Sequence, residues 1–531
     1  MATGDIVLVN GDVITSDPTN PRVSAVAIRA GRVVAAGSDD EAVARRDGAE
    51  VIDLRGRTAV PGLNDAHCHP MQVGLAASEV DARPESAPNI GALMEKLRER
   101  AARQEPGRWV LARGYDDSRL ADRRHPTRAD LDAAAPDHPA LLTRACHHVA
   151  VANGRALSLA GITADTPDPD GGRIDRDARG EPTGVLRESA LRIVESAVPE
   201  PDANDLEAAL KRAAQIFHSF GITSAAEAGV RRPEELEAYQ RLRDRGEGPR
   251  SYLMVLADYA LQSFAHSGIR TGFGDERLRV GPAKIFLDGS IGGRTARMRE
   301  PYLDDADNRG LWMQDPEQMR DTLARAHAAG WQLCAHAIGD AAIDLLLDCY
   351  ERILADAPRQ DARPRIEHCE FVGDEKAFER ISRLGAVPVP GTTFLREFRS
   401  VYEASLGSER LRYANALRSF ADRGIAAAAS SDAPVVSPDP LAGIQTMITR
   451  RDRDGVAAFE EEAVTLEEAV RAYTLAGACA SYEENTKGSL TPGKLGDVTV
   501  LGAGLRSVAT DEIEEAGVDL TVLGGEVVYS R

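Results

Sequence analysis

Short apolar runs alternate with longer stretches of helical periodicity through the middle of the chain. Eight of these runs have the length of buried strands, and such alternation is typical of an α/β fold in which crossover helices connect parallel strands. The runs cover residues 59–63, 222–226, 252–256, 283–287, 332–335, 365–367, 386–389 and 425–429. We therefore expect eight parallel strands that can close into a (β/α)8 TIM barrel within residues 61–486.

Shorter β patterns lie at both ends of the chain. Residues 1–60 contain brief strand-like runs joined by tight turns, and residues 487–531 repeat this style. Each set alone would expose strand edges and bury too little surface, so we expect the two to form one β-sandwich. The gap between the first two barrel runs is too long for one crossover. Its middle is rich in Asp, Gly and Pro, which predicts an inserted subdomain over about 75–210 that covers the barrel mouth.

Composition narrows the possible partners. The chain has 64 basic and 84 acidic residues, a formal net charge of -20, which disfavours binding to nucleic acid or to an anionic membrane. No run is long enough for a membrane span, and no signal-peptide pattern is present. The six cysteines form no CxxC pair, which suits a reducing compartment. We expect a cytoplasmic protein that acts on a small molecule, and a homodimer is left open.

Histidines mark several of the predicted strand ends. His67 and His69 form a His-x-His motif after an apolar run, and alternation along a strand places both side chains on one face, about 7 Å apart. Two such imidazoles can hold one cation; the alternative is a polar strand end with two solvated histidines. His336 and His368 also follow apolar runs. Four of the eleven histidines therefore lie where barrel enzymes build their active sites.

Two further residues extend this candidate site. Asp432 closes the run at 425–429 and can ligate a metal while moving a proton as a general base; its alternative role is a helix N-cap. Lys284 lies in another run, where metals would repel an ammonium group. Carboxylation by carbon dioxide would turn this lysine into an anionic carbamate that bridges two cations. The alternative is a lysine that reaches solvent.

In this order, the segments resemble the amidohydrolase superfamily, in particular its branch with an inserted subdomain that includes N-substituted formamide deformylases. The resemblance rests on residues 10–11, 61–69, 113–117, 141–151, 284–296, 336–340, 366–368, 431–435 and 487–497, and so extends over nearly the whole chain. It implies a (β/α)8 barrel with a β-sandwich built from both termini. It also implies a metal site formed by His67, His69, Lys284, His336, His368 and Asp432.

The resemblance further implies a metal-dependent hydrolase of carbon–nitrogen bonds other than peptide bonds. Two zinc ions are expected, although manganese, iron or cobalt accept the same ligands. The first two histidines would hold the more buried ion and the last two the second, with carboxylated Lys284 and a hydroxide between them. The hydroxide would attack an amide, N-acyl or N-formyl carbonyl. Asp432 would move the proton to the leaving nitrogen.

The predicted insertion supplies candidate substrate contacts. These are His147, His148, Tyr115 and Asp116, and the alternative for the two histidines is a loop pair without such a role. Residues 226–229, 389–394, Ser430 and Ala433 depart from the usual family pattern. These departures leave the metal ligands in place, so they bear on the identity of the substrate.

Two other functions remain in view. A single-metal deaminase would attack the C=N carbon of a heterocycle, but Lys284 and the lack of a His-x-x-Glu pattern after the fifth strand argue against it. A non-catalytic scaffold would have lost its ligands, whereas this chain retains all six ligand types.

Overall fold

The computed structural model describes residues 5–45, 47–146 and 148–531. The chain has a mixed α/β fold with two compact units. One unit contains the residues up to Gly74 together with Leu206–Arg531, and the other is Leu75–Asp205.

The first unit contains a parallel sheet of seven strands. In chain order they are β1 (Leu63–Cys68), β2 (Ile222–Val230), β3 (Arg250–Leu256), β4 (Leu278–Phe286), β5 (Leu333–Ala337), β6 (Arg365–His368) and β7 (Val387–Val389). Each strand pairs with its neighbour in sequence, and every pairing is parallel. The carboxyl ends of all seven strands therefore lie at the same edge of the sheet.

The eighth predicted strand, at 425–429, is not a strand. Within this segment the Ala427 amide donates to the Ile425 carbonyl at 3.0 Å, and the Ala429 amide donates to the Ala472 carbonyl at 3.0 Å. Neither amide is therefore available for a hydrogen bond to a neighbouring strand. The prediction of a strand here was wrong because an apolar run does not specify where its amides bond.

The same segment nevertheless bonds to both edges of the seven-stranded sheet. The Ala428 amide donates to the Pro388 carbonyl of β7 at 2.9 Å, and the Ala66 amide of β1 donates to the Ala429 carbonyl at 3.1 Å. The sheet is therefore nearly closed.

The first predicted run, at 59–63, is divided between two sheets. Its beginning lies in the strand Thr58–Pro61, which belongs to a sheet of the chain ends, and β1 starts only after Gly62. The Gly62 amide donates to the Asp497 carbonyl at 2.8 Å. A Cβ atom at this position would lie 2.1 Å from the Thr223 side chain, so only glycine allows the close approach at which the chain changes sheets.

Two further sheets contain strands from the ends of the chain. In spatial order, the four-stranded sheet contains Arg32–Gly37, Ala25–Arg29, Ile6–Val9 and Glu50–Asp53, and the six-stranded sheet contains Glu526–Ser530, Val518–Leu523, Val498–Leu501, Thr58–Pro61, Asp12–Ile14 and Arg22–Val23. Val498–Leu501 pairs antiparallel with Thr58–Pro61, so both ends of the chain share one sheet. Buried residues from the two sheets, such as Ile28 and Val500, pack in one core.

Helices connect the parallel strands and cover the sheet. Those between β2 and β7 are Pro233–Asp244, Ala257–Tyr259, Pro316–Ala328, Asp340–Asp356 and Glu375–Leu384, and the others of this unit include Pro70–Ala76, Phe394–Leu406, Leu417–Asp422, Pro440–Thr449 and Leu466–Arg471. Asp340–Asp356 shows the packing, since it buries Leu346 and Tyr350 in the main core. Across the described ranges, the helices are too short or too polar to cross a membrane.

The unit Leu75–Asp205 has its own six-stranded sheet. In spatial order its strands are Gly172–Arg176, Pro182–Glu188, Val149–Ala152, Ala140–Arg144, Val110–Tyr115 and Val80–Asp81, and its helices include Ile90–Ala102, Arg128–Ala134, Gly154–Leu159 and Ser189–Glu195. Leu142 and Leu186 belong to two separate cores within this unit. The domain boundaries inferred from the sequence stay a prediction.

Candidate metal centre

A cavity of about 440 Å³ in the first unit is lined by polar and apolar side chains, and six of the polar ones are the predicted metal ligands. They are His67 in β1, His69 directly after it, Lys284 in β4, His336 in β5, His368 at the end of β6, and Asp432 after the segment 425–429. The structure therefore brings together all six residues that the sequence proposes as metal ligands. They meet because parallel strands place their carboxyl ends at one edge of the sheet.

His67 is the centre of this group. Its ring centroid lies 4.8 Å from that of His368 and 5.9 Å from that of His69. Its Nε2 atom lies 3.1 Å from Lys284 Nζ and 3.5 Å from Asp432 Oδ1. One ligand atom each from His67, His368 and Asp432 lie within 4.8 Å of one another. That spacing allows the three residues to share a single ion.

The backbone near two of these residues is unusual. His368 and Asp432 have φ angles of 66° and 57°, a left-handed conformation that costs a non-glycine residue about 1–3 kcal/mol. The Asp432 amide donates to the His67 carbonyl at 2.8 Å, and the His69 amide donates to the Ala433 carbonyl at 2.8 Å. These bonds hold the Asp432 loop against β1, so the backbone cost is offset by contacts at the site.

A carboxylate contacts the Nδ1 atom of three of the four histidines. The pairs are His67 with Glu367, His69 with Glu227 at 3.4 Å, and His336 with Asp288 at 3.1 Å. For His67 and His336, such a partner favours the tautomer with a proton on Nδ1 and leaves Nε2 free to act as a ligand. His69 Nε2 also lies 3.3 Å from Asp432 Oδ1; burial acts to lower the pKa of His69, but the hydrogen bonds to Asp432 and Glu227 raise it to about 9. The carboxylates therefore orient these imidazoles for metal binding.

The partner of His67 belongs to a fully buried network. Arg365 Nε donates to Glu367 Oε1 at 2.7 Å, and Arg365 Nη2 donates to the Ala66 carbonyl at 2.7 Å. The Cys334 thiol lies 3.1 Å from Glu367 Oε1. All of these groups are buried, so the orientation of His67 depends on the buried ion pair of Arg365 and Glu367.

The partner of His336 is held mainly by the backbone. Asp288 accepts hydrogen bonds from the amides of Ile338 at 3.1 Å, Gly339 at 2.9 Å and Arg297 at 2.9 Å. These donors compensate the burial of the carboxylate and fix its direction. Asp288 is therefore a rigid support for His336.

Comparison with known proteins identifies the family. A family model described as "Amidohydrolase family" matches residues 50–529. This chain belongs to the amidohydrolase family. It is 30% identical to the N-substituted formamide deformylase of Arthrobacter pascens over 551 residues, which cover 99% of this chain and 98% of the relative. It is also 30% identical to the Arabidopsis thaliana protein LONG AFTER FAR-RED 3, over 99% of this chain and 91% of that protein.

Solved structures agree with this assignment. An uncharacterized metal-dependent hydrolase from Pyrococcus furiosus matches the amidohydrolase with a TM-score of 0.77 and 27% identity, over 93% of this chain and 98% of that chain. A second, from Pyrococcus horikoshii, matches with a TM-score of 0.77 and 26% identity over 99% of this chain and all of the other. Family and structural neighbours together support a hydrolase.

The electrostatics of the amidohydrolase cavity favour neutral imidazole at its centre. Burial and the charge of Lys284 lower the pKa of His67 to about 4, so its ring is neutral at pH 7. Burial acts to raise the pKa of Glu367, but the charge of Arg365 and the hydrogen bonds from His67 and Arg365 hold it well below its ordinary value. His67 therefore keeps an anionic partner at Nδ1 and a lone pair at Nε2.

Asp432 and Lys284 respond differently to burial. Burial acts to raise the pKa of Asp432, but the hydrogen bond from His69 holds it well below its ordinary range. Burial lowers the pKa of Lys284, against the nearby anionic groups. The aspartate is thus an anion at neutral pH, while the lysine is disfavoured as a cation.

The donor set fits a divalent metal. Imidazole nitrogens and carboxylate oxygens are ligands that zinc, manganese, iron and cobalt share. His368 is buried, and its Nδ1 atom has no hydrogen-bond partner in the described part of the chain. Buried polar atoms normally have a hydrogen-bond partner, so an unpaired imidazole nitrogen among these donors fits a residue that binds a metal ion. His67, His368 and Asp432 therefore form a candidate metal centre.

The predicted substrate contacts lie in the other unit and have local partners. Tyr115 is fully buried, and its hydroxyl lies 3.1 Å from His125 Nδ1. Arg144 donates a hydrogen bond to Asp116 at 2.8 Å, and Nδ1 of the exposed His148 lies 2.8 Å from Glu188. His147 lies outside the described residues. The role of these four residues in substrate binding stays a prediction.

Sequence patterns did not single out the supporting carboxylates. Glu367 directly precedes His368 in an apolar run, and Asp288 closes the run that contains Lys284. An acidic residue beside a strand-end ligand is the only local signal, and it does not say which histidine the carboxylate will contact.

Besides Asp432, a second buried carboxylate, Glu370, lines the cavity. Neither of its oxygens has a hydrogen-bond partner among the described residues, and burial raises its pKa to about 8. No local pattern distinguishes Glu370 from an ordinary acidic residue.

Proposed function

We propose that this amidohydrolase hydrolyses a carbon–nitrogen bond of a small molecule, at an amide, N-acyl or N-formyl group. The observation that carries the proposal is the buried group of His67, His368 and Asp432 in a cavity where carboxylates orient three of the four histidines. The Arthrobacter relative is named for N-substituted formamides, which supports a carbon–nitrogen bond as the target. Amides with an apolar body are the first substrates to try, because apolar residues line much of the cavity.

We propose two divalent ions, zinc before manganese, iron or cobalt. His67 and His69 would hold one ion, and His336 and His368 the other, with Lys284 between them. When bound, divalent ions polarise the substrate carbonyl and acidify the attacking water. The three supporting carboxylates keep the imidazoles in the orientation that this binding requires.

Asp432 is the proposed general base. It is an anion at neutral pH, lies 3.3 Å from His69 Nε2 and lines the cavity. It accepts the proton of the attacking water and returns it to the leaving nitrogen, which turns a poor amide leaving group into an amine.

Lys284 is the proposed site of carboxylation. Burial lowers its pKa, which increases the share of the neutral amine. The neutral amine adds to the carbon of carbon dioxide and loses one proton, forming an anionic carbamate. The carbamate supplies two oxygens in place of an ammonium group that cations would repel.

We propose that the chain has the domain arrangement expected for the amidohydrolase family. The segment 425–429 would take the eighth position of a (β/α)8 barrel, and the two sheets of the chain ends would form a β-sandwich. Leu75–Asp205 would be a subdomain inserted into the barrel. The backbone bonds of 425–429 to β1 and β7 support the first of these statements.

Metal analysis combined with a substrate screen tests the function. The purified chain would be analysed for bound metals and assayed against N-formyl and N-acyl amines with each metal added. We expect about two ions per chain and release of a free amine. One ion with ammonia release from a heterocycle would instead indicate a deaminase, and no ion with no turnover would indicate a scaffold.

Substitution of Lys284 tests the carbamate. Lys284→Ala should lose one of the two ions and most activity, and short carboxylic acids should restore part of both. Reconstitution of the metal-free wild type should improve with bicarbonate. Lys376→Ala, at an exposed lysine, is the matched control. Two ions and full activity in Lys284→Ala would contradict the bridging role.

A further inference from the structure

Glu370 lines the cavity without a role in the proposed hydrolysis. It is only 1% exposed, and both of its carboxylate oxygens lack a hydrogen-bond partner in the described ranges. The Tyr402 hydroxyl is close enough to lower the pKa of Glu370 against the effect of burial, but neither carboxylate oxygen meets hydrogen-bond geometry with it. Burying an unpaired carboxylate is costly, and native proteins pair nearly all such groups. A missing partner at a cavity wall therefore points to a ligand.

Glu370 is not a member of the donor group that His67, His368 and Asp432 form. The backbone carbonyl of Glu370 accepts a hydrogen bond from the Asn415 amide at 2.9 Å. This bond fixes the backbone and leaves the carboxylate free to face the cavity. The side chain thus needs a partner other than the protein groups described.

The wall beside Glu370 is aromatic. The helix Phe394–Leu406 contributes Phe394, Phe398, Val401 and Tyr402. Phe398 lies four residues after Phe394, and Val401 and Tyr402 lie three and four residues after Phe398, so the four residues share one face. Ring centroids of Phe394 and Phe398 are 5.5 Å apart, and those of Phe398 and Tyr402 are 6.1 Å apart. We refer to Glu370 and these four residues as the aromatic side of the cavity.

We propose that the aromatic side binds a positively charged nitrogen of the substrate. Glu370 accepts hydrogen bonds from this ammonium group, and the aromatic rings contact the cation and the apolar body that carries it. An ammonium group supplies the donors that the buried carboxylate lacks. The inference rests on the proposed function, because it makes the substrate an amide that carries a second, basic nitrogen.

A pair of matched probes tests the recognition directly. Binding of 2-phenylethylammonium and of 2-phenylethanol to the metal-loaded full chain would be measured by calorimetry, since the two differ mainly in charge. The wild type should prefer the ammonium probe by about tenfold or more, as a hydrogen bond to a charged group predicts. Glu370→Gln should remove this preference, and Glu379→Gln, at an exposed glutamate, should keep it. Equal binding of both probes by the wild type, no binding of the ammonium probe, or a preference that persists in Glu370→Gln would overturn the proposal.

Metal content and kinetics separate this inference from other roles of Glu370. In Glu370→Gln the metal content should stay at the wild-type value, and KM should rise only for amides with the distal ammonium group while kcat is kept. Loss of an ion would make Glu370 a ligand, and an equal fall of kcat on charged and neutral amides would make it an acid or base; either result overturns the proposal. If the wild type hydrolyses no amide, the proposed function fails, but the probe preference still decides whether the aromatic side binds a cation.

Discussion

The two sides of the cavity bury carboxylates under opposite conditions. On the histidine side, formed by His67, His69, Lys284, His336, His368 and Asp432, the carboxylates have protein partners. Asp432 contacts His69, and Glu367 contacts both His67 and Arg365. On the aromatic side, Glu370 lies against rings, and its oxygens have no hydrogen-bond partner among the described residues.

The difference appears in the proton affinity of the two groups. Neighbouring histidines hold the pKa of Asp432 well below its ordinary range, whereas burial raises the pKa of Glu370 to about 8. Burial alone therefore does not predict the charge of a carboxylate; its partners do. A paired carboxylate orients a neighbour, and an unpaired one at a cavity is available to a ligand.

The largest expected effect is on Asp432. Asp432→Asn should keep the fold and much of the metal but reduce kcat by about 10² to 10⁴, because proton transfer is lost. Turnover, metal content and circular dichroism would be compared with those of Asp422→Asn, at an exposed aspartate. Near-normal turnover would leave Asp432 only a structural role.

Neutralising Glu367, the carboxylate that contacts His67 Nδ1, should weaken metal binding. Glu367→Gln leaves Arg365 without its anionic partner and loosens His67, so metal affinity should fall by about 10- to 100-fold. Competition with a chelator would measure the affinity. Glu351→Gln, at a partly exposed glutamate that pairs with Arg380, is the control. An unchanged metal affinity would show that Glu367 does not orient the ligand.

The same substitution should change stability in opposite directions on the two sides. Glu367→Met breaks a buried ion pair and should lower the free energy of unfolding by about 3–5 kcal/mol. Glu370→Met removes a buried carboxylate without a hydrogen-bond partner among the described residues and should raise that free energy by about 1 kcal/mol. Urea unfolding of the metal-free chain measures both. Equal destabilisation by both variants would contradict the expected difference between the histidine side and the aromatic side.

The smallest expected effect is on an aromatic ring. Phe398→Leu keeps most of the apolar surface but removes a face that attracts cations, so the preference for 2-phenylethylammonium should fall by about 2- to 5-fold. Calorimetry with 2-phenylethanol serves as the internal control. An equal loss of affinity for both probes would mean that Phe398 contributes packing alone.

Local sequence patterns predicted where the strands lie better than which segments they pair with. Runs at 222–226 and 252–256 lie within β2 and β3, because short β-branched and apolar segments favour strands. The runs at 59–63 and 425–429 failed for one reason: hydrophobicity shows that a segment is buried but not which backbone groups it bonds. Gly62, where the chain passes from one sheet to another, carries no distinguishing signal in the sequence.

The order and spacing of residues specified the candidate ligands. Each of the four histidines follows an apolar run, and a parallel sheet brings the ends of such runs to one edge whatever the details of packing. Only the folded chain decided which carboxylate supports which imidazole and which has no hydrogen-bond partner among the described residues. His67 and Glu367 are 300 residues apart, and Glu370 differs from Glu367 only in what surrounds it. Such pairings depend on side-chain directions in three dimensions, because hydrogen bonds and desolvation act over a few ångströms of space and not along the chain.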